Sequence, residues 1–307
     1  MNKNSIGIIG MGWVGASVAI SVLHEGLAEE LLLNDIQPEI AEGEAMDLNH
    51  GSTYYPSAVV RSSTIEEMTH CRAIVITAGR GGKPGETRLD LLNENAQIVF
   101  EIAAKLKGFS GFLIIVANPV DVLTQLYQKA TGLDPRQVIG TGTLLDTARL
   151  RQMLGAQLKI DARSIHANVI GEHGDSEVVL WSSAYIGGVQ LQHWPAWHPE
   201  FENEIAYKVK MAAQEIIKRK GATNHAIGLV TASLLKWILR GERRIITISS
   251  LINGPYGIQD VSLSLPTLLS KQGIEKVMTI QINEKEHDQL QQSAAVIKKA
   301  LASIKGT

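Results

Sequence analysis

Ser5-Ile6-Gly7-Ile8-Ile9-Gly10-Met11-Gly12-Trp13-Val14-Gly15 is the stretch on which the fold turns. A short apolar run ends on glycines spaced G-x-G-x-x-G, and Val14-Gly15-Ala16-Ser17-Val18-Ala19-Ile20 then continues to Leu27 as a buried helix. In such a strand–turn–helix the first glycine makes the turn and the second lets backbone approach a pyrophosphate. The third lets helix pack closely on strand. The helix start adds free N–H groups and the positive end of its dipole. Three glycines can also be a plain turn, so the next strand matters. Leu31-Leu32-Leu33-Asn34-Asp35 ends on an acid about the expected distance on. A carboxylate there accepts hydrogen bonds from both ribose hydroxyls and repels a 2′-phosphate, favouring NAD over NADP. A helix N-cap before Gln37-Pro38 is the plainer use of Asp35.

Outward from that start, strand-like runs recur at Ala73–Thr77, Phe112–Val116 and Val138–Ile139, with helical stretches at Asn95–Lys107 and Asp121–Thr131. Strands apolar on both faces, alternating with helices, predict an α/β doubly wound parallel sheet. After about residue 140 the rhythm changes. Leu144–Leu154 reads as helix, and Ser164–Ile170 and Val178–Tyr185 as strands with no helix between them. Pro195, Pro199 and three tryptophans near Trp181–Trp197 suggest a surface hairpin and loop. Helices follow at Glu200–Lys220 and Asn224–Leu239, residues 244–283 alternate strand and turn, and Glu284–Ile304 closes as a helix. The expected division is a dinucleotide-binding domain over 1–140 and a mixed α+β substrate and catalytic domain over 141–307.

The 307 residues are 45% apolar and 20% charged, with a formal net charge of −2, so nothing favours nucleic acid as a partner. The single cysteine, Cys71, excludes an internal disulfide and a Cys-rich metal site, and reads as a buried thiol. Arg240, Arg243 and Arg244 read as a solvated helix end. There is no leader-like segment and no apolar run of about 18 or more residues, so the expectation is a cytoplasmic protein with no membrane partner. The only Gly-Lys pair, Gly82-Lys83, precedes a proline, which rules out a P-loop. No tyrosine has a lysine four residues on, which removes the short-chain dehydrogenase pair.

The chemistry-bearing stretches lie downstream. Thr77-Ala78-Gly79-Arg80-Gly81-Gly82-Lys83-Pro84-Gly85-Glu86-Thr87-Arg88 follows the third strand, at the edge where such sheets bind ligands. It reads as a mobile loop that swings Arg88 inward, or as plain flexible surface. Asn118-Pro119-Val120-Asp121 presents an amide at the same edge. Asp146 and Arg149, three apart on an otherwise apolar helix, share a face; this is a surface ion pair or a buried functional one. Gly171-Glu172-His173-Gly174-Asp175 offers a glycine-flanked histidine, suited to proton transfer, to a turn or to a metal. The flanking glycines disfavour a helical metal-ligand pair, so no metal is expected.

These motifs, in this order and with Gly221-Ala222-Thr223, resemble the lactate/malate dehydrogenase family from first strand to last helix. Their wording is nearest to its bacterial L-lactate dehydrogenase branch. The resemblance implies a Rossmann-type domain, a substrate domain, NAD as cofactor and a homotetramer. It implies reversible reduction of pyruvate, and of longer 2-oxo acids, to the L-2-hydroxy acid. His173 is then the acid–base group, Asp146 its partner and Arg88 the carbonyl polariser. Arg149 grips the substrate carboxylate, Asn118 orients the substrate oxygen, and Thr223 lines the pocket. Coenzyme contacts fall to Gly10, Gly12, Val14, Gly15, Asp35, Thr77, Ala78, Gly79, Asn95, Val116, Asn118 and Thr141.

One position departs from the pattern. Lactate enzymes of the family usually carry glutamine before Lys-Pro-Gly and malate enzymes arginine, whereas this chain has Gly82. Without an arginine there, a second substrate carboxylate would be buried unpaired, which disfavours malate, although Arg80 stands two residues away. The freed space suggests longer side chains such as that of 2-oxoisocaproate, and a 2-hydroxyisocaproate dehydrogenase is the alternative. A dinucleotide sensor without turnover is the non-enzymatic one. Arg151 and His166 match the pair that binds fructose 1,6-bisphosphate between subunits of allosteric bacterial members. A surface arginine and a satisfied strand histidine explain them equally.

Overall fold

The computed structural model describes residues 4–81 and 87–304, except for the side chain of Arg88. In chain order the first half runs β1 (Ser5–Ile9), α1 (Trp13–His24), β2 (Glu30–Asn34), α2 (Pro38–His50), β3 (Val59–Ser62), β4 (Ala73–Ile76), α3 (Arg88–Lys105), β5 (Phe112–Ile115), α4 (Val120–Thr131) and β6 (Val138–Gly140). The second half runs α5 (Leu144–Leu158), β7 (Ile165–His166), β8 (Val169–Ile170), β9 (Val178–Val179), β10 (Tyr185–Ile186), β11 (Val189–Gln190), α6 (Phe201–Lys220), α7 (His225–Arg240), β12 (Arg244–Ile252), β13 (Val261–Ser270), β14 (Gly273–Val277) and α8 (Glu284–Ala302).

The main sheet has the order β14-β13-β12-β6-β5-β4-β1-β2-β3. From β3 to β6 every pairing is parallel, and the direction of winding reverses between β1 and β4. Crevices at such a reversal, outside the carboxyl ends of the strands, are where α/β sheets bind ligands. The five-residue β1 and four-residue β4 are buried throughout, as strands sandwiched between helices must be. One apolar core, on the face of α1 and α7, includes Val18, Val22, Leu234 and Leu235. The opposite core collects Val99 of α3, Leu126 of α4 and Ile297 of α8.

The second half is mixed α/β, as expected, and part of it extends the main sheet. Strands β12, β13 and β14 add antiparallel to the parallel sheet, joined through Ser249 opposite Gly140. Only β7–β11 stand apart, as two small antiparallel sheets over a third core. The expected surface tryptophan loop belongs to that core. Trp197 is buried, its ring 5.7 Å from those of Trp181 and Phe201.

The sequence reading marks α2 only by a cap before Gln37-Pro38 and passes over β3. Helix α2 buries only Ala41 and Ala45, so no apolar stripe marks it, and β3 is a four-residue edge strand. Cys71 is buried, which pushes its thiol up to about 12 and keeps it inert. Arg240 and Arg243 bind Glu25 and Glu275, and Arg244 lies over Trp237, as befits a helix end. Among the described residues, no helix is long and apolar enough to cross a membrane.

Glycine is required at two points of the opening turn. Gly10 has φ +99°, and a Cβ at Gly15 would sit 2.0 Å from the Gly10 carbonyl oxygen. Gly15→Ala must therefore push α1 off β1. The expected result is destabilisation of about 1–3 kcal/mol in urea unfolding, together with weakened dinucleotide binding. Wild-type stability in this variant would mean that the turn tolerates a side chain.

Candidate active site

Strand β8 ends at Ile170, and the chain then enters the loop that carries His173. Neighbouring elements pin that loop from several sides. Gly171 exchanges backbone hydrogen bonds with Ser264 of β13, at 2.8 and 2.9 Å. The Glu172 N–H donates to Ser293 Oγ of α8 at 2.6 Å, and the His173 N–H donates to Asp121 Oδ2 of α4 at 2.7 Å. Lys210 of α6 donates to the Asp175 carbonyl at 2.6 Å. A segment with little regular structure is thereby held as firmly as a strand.

The imidazole meets the carboxylate that the sequence singled out. His173 Nδ1 lies 2.6 Å from Asp146 Oδ2, and Arg149 Nη1 lies 2.8 Å from Asp146 Oδ1. Asp146 is only 2% exposed, so this is a buried functional pair and not a surface one. Both oxygens of one carboxylate are thus engaged, one by the proton-transfer group and one by the cation. Among the described residues Arg149 has no other acceptor, which leaves Nε and Nη2 to take a carboxylate in a fork.

The charges set the proton affinities. Burial alone would drive His173 toward the neutral form. The charge of Asp146 and its hydrogen bond, aided by the charges of Asp121 and Glu177, outweigh that and raise it to about 9. Burial would likewise raise Asp146, but the His173 charge and hydrogen bond, then those of Arg149, hold it below the usual aspartate range. Two further carboxyls belong to the site. Asp121 is fully buried and is pushed up to about 6, against the pull of Ser249, the His173 N–H and the His173 charge. Burial, and next the charge of Asp146, raise Glu177 to about 8; its Oε1 is buried without a partner among the described residues.

At the other end of the crevice the residues suit a dinucleotide. Gly12 is the N-cap of α1, and no atom lies within 4 Å of where its Cβ would be, so a phosphate has open access. That helix has neither a side-chain cap nor an acid in its first turn. Asp35 follows β2 and accepts the Met11 N–H at 2.7 Å and the Gln37 N–H at 3.0 Å, one on each oxygen, with further lone pairs for ribose hydroxyls. Asp35 thus ties the turn after β1 to the start of α2. Thr77 Oγ1 donates to the Gly10 carbonyl at 2.5 Å, and the Ala78 N–H to that of Ile9 at 2.8 Å.

The remaining expected residues fall around this line. Val14 lies in the first turn of α1, Gly79 is exposed after β4, and Val116 follows β5. Thr141 is buried after β6. Asn118 is exposed before α4, and half-buried Thr223 lies between α6 and α7. Asn95 is different. It is buried, and both ends of its amide engage the backbone of Arg80, at 2.9 and 3.2 Å, so it braces the loop after β4. Gly82 and the Lys83–Glu86 run lie outside the described residues, as does the Arg88 side chain. Arg151 donates to the Ala167 carbonyl at 3.0 Å and to Asn168 Oδ1 at 3.2 Å, next to exposed His166. Among the described residues no cluster of three metal-ligating side chains occurs.

Sequence reasoning quoted Asp121 without giving it a role at the site, and it passed over Glu177, Ser249 and Ser293. An acid in the first turn of the otherwise buried α4 was the available signal for Asp121. Glu177 carried none, since its importance comes from what folds over it.

A doubly wound sheet with a dinucleotide turn at its reversal, and a buried carboxylate shared by a histidine and a guanidinium, defines a nicotinamide-dependent dehydrogenase. Residues 4–140 match the NAD-binding domain of lactate/malate dehydrogenases and residues 143–306 their α/β C-terminal domain, and the chain belongs to that family. It is 40% identical to an L-lactate dehydrogenase of Clostridium perfringens, over 98% of this chain and 97% of that one. It is 39% identical to L-lactate dehydrogenase 1 of Clostridium acetobutylicum, over 99% and 100%. A crystal structure of the minor L-lactate dehydrogenase from Enterococcus mundtii superimposes with TM-score 0.97 at 37% identity, covering all of both chains.

The charge balance predicts the effect of Asp146→Asn. With the neutral amide, His173 should titrate near the ordinary value of about 6.5 or below in an NMR titration, and turnover should fall roughly 10²–10⁴-fold. An unmoved titration would show that Asp146 does not set the proton affinity of His173.

Proposed function

We propose that this chain catalyses the reversible reduction of pyruvate to L-lactate with NADH. The observation that carries the reading is the buried carboxylate of Asp146 bridging His173 and Arg149. The names of its relatives support pyruvate and lactate as the reacting pair.

When bound along Gly10, Gly12, Val14, Gly15, Asp35, Thr77, Ala78, Gly79, Val116 and Thr141, the cofactor supplies or accepts the hydride. Asn95 acts on it through the loop that it braces. The Nδ1 proton of His173 is held by Asp146, so Nε2 carries the proton that passes to the ketone oxygen and takes it back in oxidation. Arg149 holds the substrate carboxylate, Asn118 orients the reacting oxygen, and Thr223 lines the pocket. Arg88 polarises the carbonyl once water is excluded. Gly82, in place of a larger polar side chain, widens the range toward longer 2-oxo acids, each fitted methylene being worth about 1 kcal/mol. The protein works in the cytoplasm as a homotetramer within fermentative glycolysis. Exposed Ile36, Met46 and Tyr54 in and around α2 favour such an assembly.

Arg151 and His166 would take fructose 1,6-bisphosphate between subunits. The bisphosphate would have to recruit a guanidinium already engaged by Ala167 and Asn168. Addition of the sugar bisphosphate should lower the KM for pyruvate and strengthen the tetramer, and Arg151→Gln should abolish both effects. Indifference of the wild type would remove the effector from this reading.

Two measurements test the reaction itself. In a kcat/KM panel over pyruvate, 2-oxobutyrate, 2-oxoisocaproate and oxaloacetate, pyruvate should lead and oxaloacetate trail; an oxaloacetate optimum would refute the assignment. Reduction needs the imidazolium, which exists below the raised His173 value. Its kcat/KM should therefore hold at neutral pH and fall as pH rises through about 9, while that of oxidation rises through the same range. A reduction profile falling already near pH 6.5 would contradict the mechanism.

A further inference from the structure

Helix α6 ends at Lys220, and the chain turns through Gly221 and Thr223 into α7. The Lys220 ammonium stands 6.0 Å from the ring centroid of Trp13, the first residue of α1 after Gly12. It also donates to Asn224 Oδ1 at 2.6 Å, and Asn224 Nδ2 donates to Ser17 Oγ of α1 at 2.8 Å. Asn224 is buried, so the end of α6 is tied to the first turns of α1. Trp13 itself is 60% exposed.

Electrostatically this placement asks for an anion. Lys220 stands beside the positive end of α1, whose first turn carries no acid and whose cap offers no side-chain acceptor. Its neighbour Arg219 is drawn away to Glu215, whereas Lys220 has no carboxylate partner among the described residues. The C-terminal end of α6 favours a cation, but it favours Lys218 and Arg219 equally and does not account for the reach to Trp13. An indole face holds an ammonium without neutralising it, which keeps the charge available at the turn.

We propose that Lys220, seated on Trp13 and steadied by Asn224, neutralises the diphosphate of the dinucleotide at the Gly10–Gly15 turn. This rests on the dehydrogenase reading and adds to it a cation from the substrate half of the chain. The same turn carries Thr223, so one short segment serves the phosphates through Lys220 and the substrate pocket through Thr223. Trp13 is also placed to report occupancy through its fluorescence.

Titration calorimetry with NADH, ADP-ribose and adenosine tests the proposal on the wild type, Lys220→Met and Lys220→Arg. Lys220 is exposed, so unfolding is not at issue, and circular dichroism checks it. Lys220→Met should bind NADH and ADP-ribose about tenfold more weakly, by the same factor for both. Adenosine binding should be unchanged, the salt dependence of NADH binding should flatten, and Lys220→Arg should recover most of the loss. If wild type binds NADH and Lys220→Met matches it in affinity and salt dependence, Lys220 is a surface lysine and the proposal falls alone. If wild type does not bind NADH, the dehydrogenase reading falls and takes this one with it.

Discussion

A carboxylate removed from water is held ionised only where cations repay the loss of hydration, and Asp146 is the point at which this chain meets that condition. His173 approaches one oxygen and Arg149 the other. Each cation is needed to keep the acid charged, and the acid in turn keeps the imidazole protonated well above its usual range. The group that donates a proton and the group that holds a substrate anion are therefore not independent. Removing either would leave the buried acid underpaired and disturb the other. The i,i+3 spacing on α5 fixes the direction of the pair before any substrate arrives.

The rest of the architecture delivers partners to that acid. Helix α5 follows directly on β6, the last strand of the parallel set, so Asp146 is placed by the dinucleotide half of the chain. His173 arrives from far along the sequence, on a loop with almost no ladder of its own. It stays in place because Ser264, Ser293 and Asp121 bind its backbone from β13, α8 and α4. Joining β12–β14 to the parallel sheet makes this possible, because β13 is then a rigid neighbour of the crevice.

Legibility in the sequence followed the physics of each segment. β1, β2, β4 and β5 could be read because strands buried on both faces are apolar runs, and the turn after β1 because backbone contact demands glycine. α2 could not, since two buried alanines leave no periodicity; the hairpin and loop near 190 were legible, but the burial of Trp197 within them was not. In the site, His173, Asp146 and Arg149 stood out as residue types with spacing and motif order. The pinning serines and Glu177 did not. Their roles depend on which elements pack together, and a serine facing solvent has the same letter as one that anchors a catalytic loop. Asn95 and Arg151 show the converse: their letters suggest ligands, and the fold gives them backbone partners.

The carboxyls around His173 set the charge that a substrate meets. Three acids, Asp121, Asp146 and Glu177, share the site with two cations, His173 and Arg149. Were all three ionised, an incoming 2-oxo acid would meet an excess of negative charge. Burial prevents it selectively. Asp146, with two charge-assisted hydrogen bonds, stays ionised; Asp121, with one N–H donor and a neighbouring serine, is ionised near neutral pH but close to its limit. Glu177, whose buried oxygen has no donor, keeps its proton. Burial thus lowers the negative charge around His173, and the guanidinium of Arg149 can attract a carboxylate that a protonated Glu177 does not repel. The donors available to each oxygen, more than the number of acids, decide the charge that the substrate meets.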